Sequence, residues 1–381
     1  MFIIIYTIFI LLVNRCIVLF MKHCLICINC KKKYKPSIFL LRCDDCNSVV
    51  KVEYDHPPKD KNSMMNSLMK SSFFSLGEGD TPIIHLRNLG KKIEHNFLYA
   101  KLEFLSPTGS FKDRGSNILM NIAKNFGVNE FIEDSSGNAG ASLAAYASFM
   151  NINANIFIPH KTPDAKKEQI RVYGAKLFQI EGSRNDTTIS AINYSEDNDI
   201  LYLSHNLSPY FSEGMKNVTY EIIKEGFLFD HVILPVGNGS LLLGMYSAYE
   251  ALYKQEKITN IPKFHAIQAS SVSPIYNYFH GIDWDISQAL PTLAGGIAVS
   301  NPPRIFEISE SIRKSKGTVM TVEEKDMIYW KKYMSENEGL FIEVTCSAAL
   351  AGLNKLLEEK KIGPNEKVLI PLTGTGLKES K

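Results

Sequence analysis

Residues 106–115 read SPTGSFKDRG, a sharp turn followed at once by a helical pattern. Pro107 and Gly109 break regular structure immediately before Lys112. Apolar residues at 118, 119, 122 and 123 then have helical spacing, so Lys112 lies at or near the start of a helix. The helix dipole disfavours a cation there and favours the neutral amine, the form that acts as a nucleophile. Lys112 is therefore either a solvated loop lysine or a reactive one.

The composition is that of an ordinary globular protein. The chain has 381 residues, of which 45% are hydrophobic and 22% are charged, enough for two domains or for one large domain with an insertion. The formal net charge of +2 gives no electrostatic reason to expect nucleic acid or an anionic membrane surface as a partner. A small molecule is the expected ligand.

The exception is an apolar leader at residues 1–20, interrupted by Asn14 and Arg15. It lacks the basic start and the small-residue cleavage site of a secretory signal, and its uninterrupted apolar run is too short to span a bilayer. Two interpretations stay open: a non-functional extension upstream of Met21, or a membrane anchor. The basic residues that follow would keep the rest of the chain on the cytoplasmic side in either case. We therefore predict a cytoplasmic location.

Five of the seven cysteines lie between positions 24 and 46. Four of them form two C-x2-C pairs separated by twelve residues: Cys27, Cys30, Cys43 and Cys46. With this spacing, two tight turns present four thiolates to one tetrahedral zinc ion. A disulfide framework is the weaker alternative, because nothing else in the chain indicates an oxidising compartment. We predict a zinc-ribbon-like head over residues 21–54, with Cys24 as a spare thiol or an alternative ligand.

Strands and helices alternate over most of the remaining chain. The predicted strands are 96–103, 130–133, 155–159, 175–181, 231–236, 264–268 and 368–372. The predicted helices are 141–149, 166–173, 186–194, 211–226 and 241–253. Buried aliphatic strands that are joined by helices indicate parallel sheets, so the fold class is α/β.

Two glycine-containing loops lie between a strand and a helix, where free amides and the helix dipole favour an anion. The first consists of Gly237, Asn238, Gly239 and Ser240. It is either a phosphate-binding loop or a simple turn. The second consists of Ser135, Ser136, Gly137 and Asn138. It suits a carboxylate, although Ser and Asn are also ordinary helix caps. A third loop, which includes Thr373, offers hydroxyls and no charge.

A reactive lysine, a phosphate loop, a carboxylate loop and a neutral hydroxyl loop together are typical of a pyridoxal-phosphate enzyme that acts on amino acids. On these motifs, and on the sequence GEGDTP at residues 77–82, the chain resembles the fold type II (tryptophan synthase β-like) pyridoxal-phosphate family, and within it the threonine synthases. This resemblance implies two open parallel or mixed sheets flanked by helices. It also implies a large cofactor-binding domain over 55–110 and 205–381 and a small α/β domain over 111–204.

The resemblance implies a role for each site residue. Lys112 would hold the cofactor covalently and then move protons as a base. Asn138 would bond the ring hydroxyl, Thr373 would face the ring nitrogen, and the loop from Gly237 to Ser240 would bind the cofactor phosphate. The substrate carboxylate would be held by Ser135, Ser136 and Gly137.

The implied reaction is that of a lyase that converts O-phosphohomoserine and water into L-threonine and phosphate. Ala139 and Phe211 depart from the threonine synthases, in which threonine and arginine are expected. Arg184, Arg304 or Lys216 could replace the lost charge, and we take Arg184 as the candidate substrate ligand.

The alternative within the family is an enzyme that eliminates or replaces at Cβ, such as a serine/threonine dehydratase or an O-phosphoserine-dependent synthase. Outside it, the alternative is a catalytically inactive cofactor-binding or zinc-scaffold protein. The expected partner is an amino-acid substrate, and a homodimer is compatible with the resemblance.

Overall fold

The computed structural model describes residues 21–69 and 73–379, which form two compact units. The first unit comprises 21–69, 73–76, 115–163 and 167–214, and the second comprises 77–114, 164–166 and 215–379. The predicted leader at 1–20 lies outside the described residues. Within the described ranges, no helix is long and apolar enough to cross a membrane.

Strands and helices alternate along the chain as the sequence predicts. The strands are β1 (His23–Cys27), β2 (Lys33–Tyr34), β3 (Val50–Tyr54), β4 (Ile83–His85), β5 (Leu98–Lys101), β6 (Glu130–Glu133), β7 (Asn153–Pro159), β8 (Lys176–Ile180), β9 (Leu201–Tyr202), β10 (His231–Pro235), β11 (Lys263–Ala269), β12 (Val319–Val322) and β13 (Val368–Pro371). The α-helices are Lys61–Leu68, Arg87–Lys92, Lys112–Asn125, Asn138–Met150, Asp164–Val172, Arg184–Asn198, Phe211–Lys224, Ser240–Lys254, Pro274–His280, Ile305–Lys314, Glu324–Tyr333 and Val344–Glu358.

The first unit contains two sheets. The head forms an antiparallel sheet in the order β2-β1-β3, and a parallel sheet has the order β8-β7-β6-β9. The middle of β7 is a run of buried apolar residues, and its Phe157 ring stacks on Phe178 with centroids 4.4 Å apart. The helices Asn138–Met150 and Arg184–Asn198 pack against β7. Coverage by helices explains why this strand is apolar on both faces.

The second unit is built on one sheet in the order β12-β11-β10-β13-β5-β4. All neighbouring pairs are parallel except β4 with β5, which is antiparallel at the edge of the sheet. The helix Val344–Glu358 packs against β10, β11 and β12 over a continuous apolar core. The parallel strands end at the same edge, so the loops that follow β5, β13 and β10 emerge side by side.

The predicted α/β class with parallel and mixed sheets is confirmed. The large domain over 55–110 and 205–381 and the small domain over 111–204 that the resemblance implies stay predictions. The head belongs to the first unit.

A buried cluster of four charges lies beneath the end of β5. The Arg114 guanidinium donates to both oxygens of Glu103, at 2.6 and 2.8 Å, and to both oxygens of Glu221, at 2.5 and 2.7 Å. The Lys101 ammonium lies 2.9 Å from Glu221 and donates to the Thr81 carbonyl at 2.8 Å. All four charged side chains are buried. Two cations and two carboxylates cancel, and every charge has a partner, which is the condition under which buried ions are tolerated.

Replacing Arg114 with methionine is expected to lower the free energy of unfolding by about 3–5 kcal/mol, because Glu103 and Glu221 would stay buried without their partner. Urea unfolding followed by circular dichroism measures the change. The matched control is Lys254→Met, which removes an exposed ion pair with Glu250 and should cost less than about 1 kcal/mol. Equal losses in the two variants would contradict the assignment.

The same cluster predicts a loss of stability in acid. Burial alone would raise the pKa of Glu221, but the charges of Arg114 and Lys101 outweigh burial and lower that pKa to about 2. A folded-state pKa below the unfolded value means that the stabilisation is complete above about pH 4.5 and is lost as the pH falls toward 2. Melting temperatures measured from pH 7 to pH 3 should therefore fall more steeply for the wild type than for Glu221→Gln. Parallel curves would show that Glu221 does not carry the effect.

Candidate active site

The turn before Lys112 is held by the side chain of Asp113. The Thr108 amide donates to one carboxylate oxygen at 2.7 Å, and the Thr108 hydroxyl donates to the other at 2.5 Å. The helix Lys112–Asn125 begins at the lysine itself. The Lys112 side chain is half-buried, with its Nζ 4.8 Å from the centre of the Phe111 ring. The turn thus fixes the backbone from which this amine projects.

The C-terminal loop is hydrogen-bonded to this turn. The Phe111 amide donates to the Thr373 carbonyl, and the Thr375 amide donates to the Gly109 carbonyl, each at 3.0 Å. They form an isolated antiparallel bridge between Ser110 and Gly374, just beyond the parallel pairing of β5 with β13. Thr373 is therefore bonded to Phe111, the residue immediately before the helix Lys112–Asn125.

Thr373 contacts a cysteine that sequence analysis did not assign to the site. The Cys346 Sγ lies 3.2 Å from the Thr373 hydroxyl, donates to the Gly374 carbonyl at 3.3 Å and accepts from the Gly374 amide at 3.1 Å. Burial raises the pKa of Cys346 to about 12, so the group stays a neutral thiol. The contact sets the orientation of a buried hydroxyl. It could not be found from sequence, because nothing local links positions 346 and 373.

The glycine loop after β10 emerges next to β13 at the same edge of the sheet. Gly239 caps the helix Ser240–Lys254 with a φ of 76°, which favours glycine. A Cβ on Gly239 would also lie 2.3 Å from Cδ1 of Ile308. The second unit therefore brings together the lysine turn, the hydroxyl loop and the glycine loop on three neighbouring strands.

The serine and asparagine residues of the other predicted loop lie in the first unit. They follow β6 and lead into the helix Asn138–Met150, whose N-cap is Gly137. A Cβ on Gly140 would lie 2.0 Å from the Ser135 carbonyl oxygen, so only glycine lets the helix start this close to the loop. Ser135 is buried, whereas Ser136, Gly137 and Asn138 are partly exposed at the start of the helix. This is the arrangement of a helix N-terminus that can accept an anion.

The predicted substrate cation, Arg184, lies beside that loop. Its guanidinium is 3.3 Å from the Asp134 carboxylate, which also accepts a hydrogen bond from Thr188. The two positions that depart from the threonine synthases are apolar and buried: Ala139 is 2% exposed and Phe211 is 0% exposed, with the Phe211 ring against His205. The Arg304 guanidinium pairs with Glu307 at 2.8 Å in the second unit.

The head brings its four predicted metal ligands together. The Sγ atoms of Cys27, Cys30, Cys43 and Cys46 all lie within 4.8 Å of one another. Cys24 is not among them, because its thiol donates to the Glu53 carboxylate at 3.6 Å. Of the two interpretations of Cys24, a spare thiol or an alternative ligand, the structure favours the spare thiol.

The sequence is similar to known enzymes over most of its length. A family model described as "Pyridoxal-phosphate dependent enzyme" matches residues 74–374. The threonine synthase of Methanocaldococcus jannaschii is 30% identical over 375 residues, covering 93% of this chain and 92% of that protein. The threonine synthase of a Bacillus species is 32% identical over 312 residues, covering 81% and 86%.

Solved structures share the fold at lower sequence identity. Threonine deaminase isoform 2 from Solanum lycopersicum matches with a TM-score of 0.67 and 20% identity, over 77% of this chain and 79% of that one. Maize serine racemase matches with a TM-score of 0.66 and 20% identity, over 78% and 88%. From the family match and the similarity to threonine synthases, we conclude that the chain belongs to the family of pyridoxal-phosphate dependent enzymes.

Proposed function

We propose that this pyridoxal-phosphate dependent lyase acts as a threonine synthase, converting O-phosphohomoserine and water into L-threonine and phosphate. The observation that carries the proposal is the edge of the large sheet. There a lysine at a helix start, a buried neutral hydroxyl and a glycine loop follow three adjacent strands. Similarity to threonine synthases over most of the chain supports the choice of reaction within the family.

The donor set of the second unit fits pyridoxal phosphate. The glycine loop has no side chains that block approach at Gly237 and Gly239, and the helix amides that follow, with the Ser240 hydroxyl, suit a phosphate group. Lys112 supplies the amine that can hold the cofactor covalently. When bound, pyridoxal phosphate withdraws electrons from the bonds at the substrate Cα.

Lys112 is the residue to which we assign proton transfer. Its backbone is fixed by Asp113 and by the hydrogen bonds to the C-terminal loop, so its Nζ can hold or release a proton from a constant position. Thr373 is assigned to the ring nitrogen. A hydroxyl leaves this nitrogen unprotonated, unlike a carboxylate, and this favours elimination and replacement over decarboxylation. The Cys346 sulfur lies 3.2 Å from that hydroxyl.

The first unit supplies the groups that we assign to the substrate. The amides and hydroxyls of Ser135, Ser136 and Gly137 suit a carboxylate, and Asn138 is assigned to the ring hydroxyl of the cofactor. Arg184 is the candidate cation for the substrate phosphate, although Asp134 already neutralises part of its charge. Its side chain is 47% exposed and can reorient toward an anion.

A second function is favoured by Phe211. This side chain is fully buried and apolar at the position where the resemblance predicts a phosphate-binding arginine. Losing one charged hydrogen bond costs about 1.5–3 kcal/mol, enough to change the preferred substrate. The second candidate is therefore an enzyme that eliminates or replaces at Cβ of serine, threonine or O-phosphoserine. The cytoplasmic location and the homodimer stay predictions of the sequence.

Purified holoenzyme should release phosphate from O-phosphohomoserine and form threonine in equal amounts. Lys112→Ala should abolish both products. Borohydride reduction followed by mass spectrometry should find the cofactor attached to the wild type and not to Lys112→Ala. Lys92→Ala, at an exposed position, is the matched control and should behave as the wild type. Release of a keto acid from serine or threonine, without phosphate release from O-phosphohomoserine, would instead establish the second candidate.

Gly239→Ala is expected to reduce cofactor binding, because the new methyl group would meet Ile308 in a backbone conformation that already disfavours alanine. Equilibrium dialysis against pyridoxal phosphate should show at least a tenfold weaker affinity. The matched control is Gly226→Ala, which has a similar φ of 79° but no atom within 4 Å of the new Cβ. If both variants bind the cofactor equally well, the loop does not hold its phosphate.

A further inference from the structure

The four clustered sulfurs of the head have the spacing of a metal site rather than of disulfides. The nearest pairs are Cys27 with Cys46, at 3.4 Å, and Cys30 with Cys43, at 3.5 Å. A disulfide requires about 2.05 Å, whereas four sulfurs about 2.3 Å from one tetrahedral zinc ion are about 3.8 Å apart. Each close pair joins a cysteine of the first C-x2-C turn to a cysteine of the second. All four sulfurs therefore surround one point.

The surroundings of the sulfurs also suit an anionic metal–thiolate centre. The Tyr34 hydroxyl donates to the Cys43 sulfur at 3.0 Å, as groups around metal ligands commonly do. The Lys32 ammonium bridges the two turns by pairing with Asp44 and Asp45 at 2.8 and 2.7 Å. The head is short, and folded segments below about 40 residues usually need a metal, disulfides or a partner.

One strand of the head connects this cluster to a distant contact. Cys27 is the last residue of β1, and His23, at the other end, lies directly opposite Tyr54 of β3. The His23 Nε2 lies 3.1 Å from the hydroxyl of Tyr210, and the Tyr54 hydroxyl donates to the Glu213 carboxylate. The paired strands therefore join the sulfur cluster to the residues just before and within the first turn of the helix Phe211–Lys224.

The contacted residues belong to a segment with little regular structure of its own, residues 204–213. Tyr210 is 0% exposed, its ring packs edge-on against His23 with centroids 5.7 Å apart, and the Ser37 amide bonds to its hydroxyl. On its other side the segment is tied to β6, because the His205 amide donates to the Glu133 carboxylate at 3.0 Å. The segment is thus held between the small parallel sheet and the head.

We propose that Cys27, Cys30, Cys43 and Cys46 bind one structural Zn²⁺ and that the metal-bound head positions the 204–213 segment. His23 and Tyr54 are the positioning residues. The effect on catalysis rests on the proposed function, because the segment is tied through His205 to Glu133, the last residue of the strand that leads into the proposed carboxylate loop at 135–138. Loss of the metal would therefore weaken substrate binding and leave cofactor attachment at Lys112 intact.

The test compares the holoenzyme with three variants. Elemental analysis should find about one zinc per chain in the wild type and in Cys24→Ser, and none in the double variant Cys43→Ser/Cys46→Ser. Hydrogen exchange of peptides covering 204–213 should be about tenfold faster in that double variant. A second double variant, His23→Gln/Tyr54→Phe, should keep its zinc and its bound cofactor but show the same faster exchange, with a KM about tenfold higher and kcat changed less than twofold.

Three results would overturn the proposal. These are retention of zinc without Cys43 and Cys46, iron in place of zinc in the wild type, and unchanged exchange of 204–213 in the variant His23→Gln/Tyr54→Phe. The last variant keeps all four sulfurs, so it decides the matter even if the cysteine variant does not fold. Zinc content and exchange are measured without substrate. If O-phosphohomoserine is not consumed but both readouts behave as expected, the substrate assignment fails and the metal-dependent positioning stands.

Discussion

Backbone hydrogen bonds between residues 109–111 and 373–375 fix the backbone from which Lys112 projects. They join a turn in the first third of the chain to a loop at its end, and the parallel pairing of β5 with β13 brings the two together. The glycine loop follows β10, the other neighbour of β13. Lys112, Thr373 and the glycine loop therefore lie along one edge of the same sheet.

The buried charges beneath this edge support it in a different way. Arg114 follows Lys112 by two residues and lies in the first turn of the same helix. Its bonds to Glu103 and Glu221 therefore hold this turn in place. A buried ion cluster contributes little net stability compared with an apolar replacement. The cluster instead fixes the positions of its members, because a guanidinium that bonds both oxygens of each carboxylate allows only one arrangement of the two carboxylates. The same motif thus carries Lys112 and the buried charge that anchors its helix.

Local pattern was sufficient for much of the fold and for the main site motifs. The strand 130–133 was predicted at its observed bounds, and the cysteine spacing identified all four clustered sulfurs, since both signals lie within a few residues. No helix was predicted at Val344–Glu358, which is buried nearly all round and so lacks an amphipathic stripe. The contacts of Cys346 with Thr373 and of Arg114 with Glu221 join distant positions, and only the folded sheet brings them together.

The position of β13 has a consequence for how the protein is made. This strand is formed by residues 368–371, later in the chain than every other strand of its sheet, yet it lies between β10 and β5. Until it emerges from the ribosome, the large sheet can exist only as two separate pieces, β12-β11-β10 and β5-β4. The nascent chain therefore cannot assemble the lysine turn, the hydroxyl and the glycine loop before residues 368–371 have been made. Chains that stop before β13 would therefore lack this sheet edge, and we expect them to be inactive.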